Sequence, residues 1–201
     1  MRRILTRPSV LGLAAALACG AALAAVPVTA QASPDNGLFE VTDSPQELEI
    51  QAARMMKKRL NIDPQLVPVN KNDPEDLRLI AGFNADPKLG LPRISVQIDT
   101  KALGQQEGKT VSRSVAVISM PDLEFAAADH GKLLEWINAW NAKGAPVQLV
   151  TVNNRLMATY VQVTYIDAPL SEDQVFKGML GVVRAWPVLF RSLRAEGLVP
   201  G

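Results

Sequence analysis

Few side chains in this 201-residue chain are suited to chemistry: one histidine, one cysteine and one glycine-rich run stand out. His130 is the only imidazole, so a Ser-His-Asp triad would have to use it, and no Gly-x-Ser-x-Gly elbow presents a serine. Placed beside Gly131 at the entrance to an apolar periodic segment, it reads as a surface or capping residue. The run Gly104-Gln-Gln-Glu-Gly108-Lys109-Thr110 has the composition of a phosphate loop. Its glycines stand one residue too close for that loop, and Glu107 would set negative charge against a phosphate, so it reads as a hairpin connection. Carboxylates remain. Paired acids cleave glycosides only when two of them face one cleft, and Asp73, Glu75, Asp76, Glu172 and Asp173 fit turns and a helix start better. With no His or Cys at ligand spacing, a metal would have to be held almost wholly by carboxylates. No catalytic residue, metal ligand or cofactor is therefore assigned.

The elements around these residues are easier to read. Ser44-Pro45-Gln-Glu47 combines a capping serine, proline at the first helical position and a reciprocal acid, so a helix starts there. Leu48, Ala52, Met55, Met56 and Leu60 form its apolar face, and Lys57, Lys58 and Arg59 its solvated C-terminal end. Four strand candidates follow: 65–69, 77–83, 93–98 and 111–120. The first holds Pro68 and follows Pro64, and it is the one we expect to drop out. The loop 85–92, with two prolines and a glycine, is expected to be exposed.

A second helix, Lys132 to Asn141, carries Leu133, Trp136, Ile137 and Trp140 on one face and runs into Gly144, which suits a left-handed cap. Strands at 148–152 and 155–166 follow, joined by Asn153-Asn154, which suits a two-residue primed turn. Met157, Val161, Val163 and Tyr165 line one side of the longer strand, and Tyr160, Gln162 and Thr164 the other. The helix stripe is expected to seat on this hairpin, with Trp140 near Val163. After 167–170, Ser171 caps a last helix with Glu172 and Asp173 in its first turn. Val175, Met179, Val182, Trp186, Leu189 and Leu193 form its core stripe, and Pro187 should kink it or split it near Val183. Phe176, Leu180, Val183 and Phe190 widen the stripe and are candidates for a partner surface.

Ile137, Asn138, Trp140 and Asn141 of the helix, Val161 and Val163 of the strand, and the Ser171-Glu172-Asp173 helix start together resemble the YbjN family. Its members are labelled bacterial sensory transduction regulators. The resemblance is clearest over 133–193 and departs from the family at Ala168-Pro169-Leu170, where relatives often have paired glycines. It implies an α+β fold like that of type III secretion chaperones: helix, three to four strands, helix, two-strand hairpin, helix, with five to six antiparallel strands and three helices. It brings no catalytic residues.

Residues 1–32 contain Arg2, Arg3 and Arg7, no acid, and an Ala/Leu-rich stretch ending in Ala30-Gln31-Ala32, the pattern of a signal peptide cleaved before Ser33. Two alternatives stay open: acylation of Cys19 as a lipoprotein, and an uncleaved anchor. Residues 33–43 read as a linker and 44–201 as the domain. Without the leader's three arginines, 18 basic residues face 20 acidic ones. That balance offers no field for nucleic acid and no polybasic membrane patch. Hydrophobic residues make up 48% of the chain, enough for a core, and no later stretch is long and apolar enough to span a membrane. The expected protein is a non-enzymatic, exported binding or regulatory domain, periplasmic or secreted. Its expected partner is a protein or peptide segment, or a second copy in a homodimer. The rival is an envelope hydrolase acting through carboxylates.

Overall fold

The computed structural model describes residues 37–70, 73–88, 90–126 and 129–199. The segment read as a signal peptide, with Cys19, lies outside the described residues. Helix α1 (Pro45–Leu60) starts on a complete capping box: Ser44 Oγ accepts from the Glu47 N–H, and Glu47 accepts from the Ser44 N–H. Asn61, in the left-handed conformation, ends it. Leu48, Ala52, Met55 and Met56 are buried.

Strands β2 (Gln65–Asn70), β3 (Asp73–Phe83), β4 (Ile94–Gln106) and β5 (Lys109–Pro121) follow as an antiparallel meander. The strand expected to drop out is therefore present. It survives because it is the edge of the sheet, where a missing proline N–H leaves no ladder bond unmade. Asp73 and Pro74 begin β3 instead of forming a turn. The glycine-rich run is the tip of the β4–β5 hairpin, with Glu107 and Gly108 at positive φ between the paired Gln106 and Lys109.

Helix α2 (His130–Asn141) leads through Gly144, at φ 69°, to β6 (Gln148–Val152) and β7 (Arg155–Tyr165). Asn153 and Asn154 make the hairpin turn, both left-handed. Then come β8 (Leu170–Ser171) and α3 (Glu172–Ala195). Among the described residues the fold is α+β: three helices with a six-stranded antiparallel sheet in the order β2-β3-β4-β5-β7-β6, and a two-stranded ribbon. That ribbon pairs β8 with β1 (Leu38–Phe39). The segment read as a linker is thus part of the domain from Gly37 onward, with Phe39 and Val41 buried. No helix among the described residues is long and apolar enough to cross a membrane.

Pro187 neither splits α3 nor ends it; the helix runs without a break from Glu172 to Ala195. Burial outweighs the lost hydrogen bond, since Val182, Trp186, Leu189, Phe190 and Leu193 around the proline all lie in the core. Trp186 is fully buried and donates its indole N–H to Ser119 Oγ of β5 at 2.8 Å.

Candidate functional site

Register decides which residues meet the helices. Leu79, Ile98, Val117 and Tyr160 form one row across β3, β4, β5 and β7, on the face that α1, α2 and α3 cover. Arg78, Asp99, Ala116 and Val161 point the other way, as do Ile118, Met157, Val163 and Val150. Among the described residues, no helix lies on this second face. Val161 is 56% exposed, Tyr165 49% and Val150 40%. The expected seat of Trp140 near Val163 is therefore overturned: α2 packs on the covered side with Leu133 and Ile137 in the core, and Val163 lies on the opposite side. Alternation alone could not say which side of β7 is the inner one, because both sides carry apolar residues.

The uncovered face has two halves. Over β3 and β4 it is charged: Asp99 Oδ2 lies 3.7 Å from both Arg78 Nη2 and Lys101 Nζ. Over β5, β7 and β6 it carries no ion pair between described residues and is richer in apolar ones, with Ala116, Ile118, Met157, Val161, Val163 and Val150 among Ser112, Ser114, Thr159 and Gln148.

The edge beside the apolar half is sealed in one place and open in another. At β6, Asn141 of α2 uses its side-chain amide as a stand-in strand, accepting from Leu149 N–H and donating to Leu149 C=O, each at 2.8 Å. Strand β6 ends its pairing at Gln148, opposite Thr159. Beyond that point β7 is the edge. Ile166 N–H donates to Val111 C=O, so the even-numbered residues here turn their backbone groups toward β5. Odd-numbered ones turn outward. Thr159 meets Gln148, and Tyr165 exchanges both backbone hydrogen bonds with Ala168. Between them, the N–H and C=O of Val161 and Val163 have no backbone partner among the described residues.

A cleft of about 410 Å³ opens on the helix side of this gap, lined by Pro146, Val147, Tyr160, Gln162, Lys177 and Gly181 among others. Two α3 glycines shape it. A Cβ on Gly178 would sit 2.7 Å from the Tyr160 ring, so close approach requires glycine there. A Cβ on Gly181 would meet nothing within 4 Å. Lys177 Nζ is held at 2.7 Å by Asp173, which also binds Arg59 at 3.1 Å. Hydrogen bonds from these two cations hold the Asp173 carboxyl below its usual range. The cleft thus offers apolar and neutral polar groups, with one lysine whose carboxylate partner is shared with Arg59.

A separate polar cluster lies under the β1 segment. Glu49 is fully buried and accepts from Thr100 N–H and Oγ1 at 3.3 and 3.4 Å. Burial pulls the nearby Arg113 guanidinium below its usual pKa, against the pull of Asp43 and Glu49. Burial likewise raises the Asp43 carboxyl. None of these groups lines the cleft beside α3.

Of the residues proposed as a partner surface, Phe190 is buried against Trp186, with ring centroids 5.7 Å apart. Phe176, Leu180 and Val183 are half-buried against the core, and Arg59 lies 4.7 Å over the Phe176 ring. Exposed large apolar side chains occur on the sheet at Leu103, Val150, Val161 and Tyr165, just past β7 at Ile166, and on the helices at Leu134 and Val188. His130 begins α2 with a buried Nδ1 that has no hydrogen-bond partner among the described residues, so these do not string it between an acid and a serine. Sequence reasoning passed over Gly178 and Gly181, although two glycines inside an apolar helical repeat are a signal that something approaches or that space is kept. The backbone edge of β7 left no such signal, since any residue supplies those groups. Compared with models of known protein families and with curated proteins, the chain matches none.

Proposed function

We propose that this chain is a non-enzymatic binding domain, exported to the bacterial envelope or beyond, that holds a segment of another polypeptide. One observation carries the reading: Val161 and Tyr165 are exposed on a sheet face that no helix among the described residues covers, and they flank an unsealed stretch of edge. Single exposed apolar residues are ordinary, but Val161, Val163 and Tyr165 beside unpaired backbone groups suit an extended chain, which brings both apolar side chains and hydrogen bonds. The resemblance to the YbjN family and to secretion chaperones supports a regulatory or chaperone-like role. The basic, Ala/Leu-rich leader supports export.

Selection of random displayed peptides against the folded protein tests the reading, with Val161→Lys as counter-target. Enrichment of peptides with alternating apolar residues, lost on Val161→Lys, is the expected result. No enrichment, or enrichment indifferent to that substitution, rejects it. Intact mass of the exported protein tests the leader: a start at Ser33 is expected, and an acylated Cys19 would make it a lipid-tethered form of the same domain.

A further inference from the structure

Resting on the reading of the chain as a polypeptide-binding domain, we propose that its ligand adds as a short extra strand to β7 at Val161–Val163, continuing the line of β6, with one uncharged apolar side chain seated in the cleft beside α3.

The geometry sets the length. Gln148 closes the outer side of β7 at Thr159, and Ala168 closes it at Tyr165. Between these stops the edge takes a segment of about three to five residues. Its hydrogen bonds would go to the N–H and C=O of Val161 and Val163, four groups in all, which turn away from β5. Alternation then assigns the ligand's side chains. Residues opposite Val161 and Val163 lie on the uncovered apolar face. The residue between them, opposite Gln162, points to the helix side and into the cleft. That cleft is walled by Pro146, Val147 and Tyr160, and Lys177, already paired with Asp173, contributes its aliphatic stem. Apart from Lys177 at its rim the lining is uncharged, so a leucine-sized apolar side chain fits.

Two features show that this opening is kept rather than left over. The neighbouring edge at Leu149 is sealed by Asn141, so the fold has a device for blunting an edge and does not apply it at Val161. Gly181 sits in the interior of α3, where glycine weakens a helix, yet packing does not require it. Its effect is to leave the cleft unfilled. A second copy of the chain is a poor occupant. In a two-fold pairing centred on Gln162, Tyr165 of the other copy would fall opposite Thr159, the place Gln148 holds.

The test uses the 15N-labelled protein and the peptide acetyl-Thr-Val-Leu-Val-Thr-amide at millimolar concentration. Binding should shift the amide signals of Val161 and Val163 and slow their hydrogen exchange, leaving Leu149 unaffected. N-methylation of either valine removes a ladder donor and should weaken binding about tenfold or more. N-methylation of the leucine, whose N–H points away from β7, should spare it. Gly181→Leu should fill the cleft and reduce affinity by at least about tenfold with the amide spectrum otherwise intact. Val161 and Val163 amides already protected in the free protein would overturn the proposal, since this chain or a second copy would then cover the edge. Equal effects of methylation at valine and leucine would overturn it too. If the pentapeptide leaves these amides unmoved while display-selected peptides bind the uncovered face, the strand-addition mode fails and the binding reading stands. If no peptide binds, both fail.

Discussion

Asn141 holds Leu149 as a neighbouring strand would, one amide group answering both the N–H and the C=O of a residue eight positions later. The contact fixes the end of α2 to the start of the hairpin and removes a free edge in the same stroke. Asn141→Leu strips both bonds from a half-buried site. A loss of about 1–3 kcal/mol in denaturant unfolding follows, with faster amide exchange at Leu149 and concentration-dependent self-association. Unchanged exchange at Leu149 would mean another group already covers it.

Ser119 and Trp186 make a second such test, because both are fully buried. Ser119→Ala leaves the indole N–H without a partner in the core and should destabilise by about 1–3 kcal/mol. Trp186→Phe removes that donor but opens a cavity. The double substitution should therefore lose less than the two single losses added together, as a thermodynamic cycle of urea midpoints would show.

The two α3 glycines should respond in opposite directions. Gly181→Ala adds a methyl group in open space and improves helix propensity, so a gain of about 0.5–1 kcal/mol in thermal unfolding is expected. Gly178→Ala drives a methyl against the Tyr160 ring and should cost stability. Matching shifts of one sign would contradict the close approach of α3 to β7.

Asp43 gives a pH signature. Burial raises its carboxyl pKa, a backbone hydrogen bond from Glu40 and the charge of Arg113 lower it, and Glu47 and Glu40 add to the rise. A folded pKa above the unfolded one means the folded state takes up the proton more readily, so the ionised group opposes folding. The penalty begins near the unfolded pKa of about 3.9 and is complete above the folded one. Asp43→Asn should then match the parent at about pH 3 and exceed it at about pH 7, by less than about 1 kcal/mol since the site is only partly buried. Unfolding midpoints across that range check the sign; equal curves at neutral pH would place Asp43 in water.

What the sequence displayed was local chemistry. The Ser44 and Ser171 caps, the Asn153-Asn154 turn and the apolar stripes of α1 and α3 depend on residues within a turn or two of one another. Much of the rest is settled by distant partners. Gln65–Asn70 pairs although it contains Pro68, because only the sheet order makes it an edge. Glu49 looks like an ordinary exposed helix residue until Thr100 and Arg113 arrive from β4 and β5. Phe39 looks like part of a tether until Leu170 lies beside it. The inner side of β7 was ambiguous for the same reason, and with it the location of the candidate site.

Pairing of Leu38–Phe39 with Leu170–Ser171 has a consequence for how the molecule comes into being. The first described strand cannot find its mate until nearly the whole chain has been made, so a growing polypeptide keeps Phe39 and Val41 out of their places until the start of α3 emerges. A version beginning at Ser44 would lack both side chains for good and would carry a permanent hole at that end of the interior.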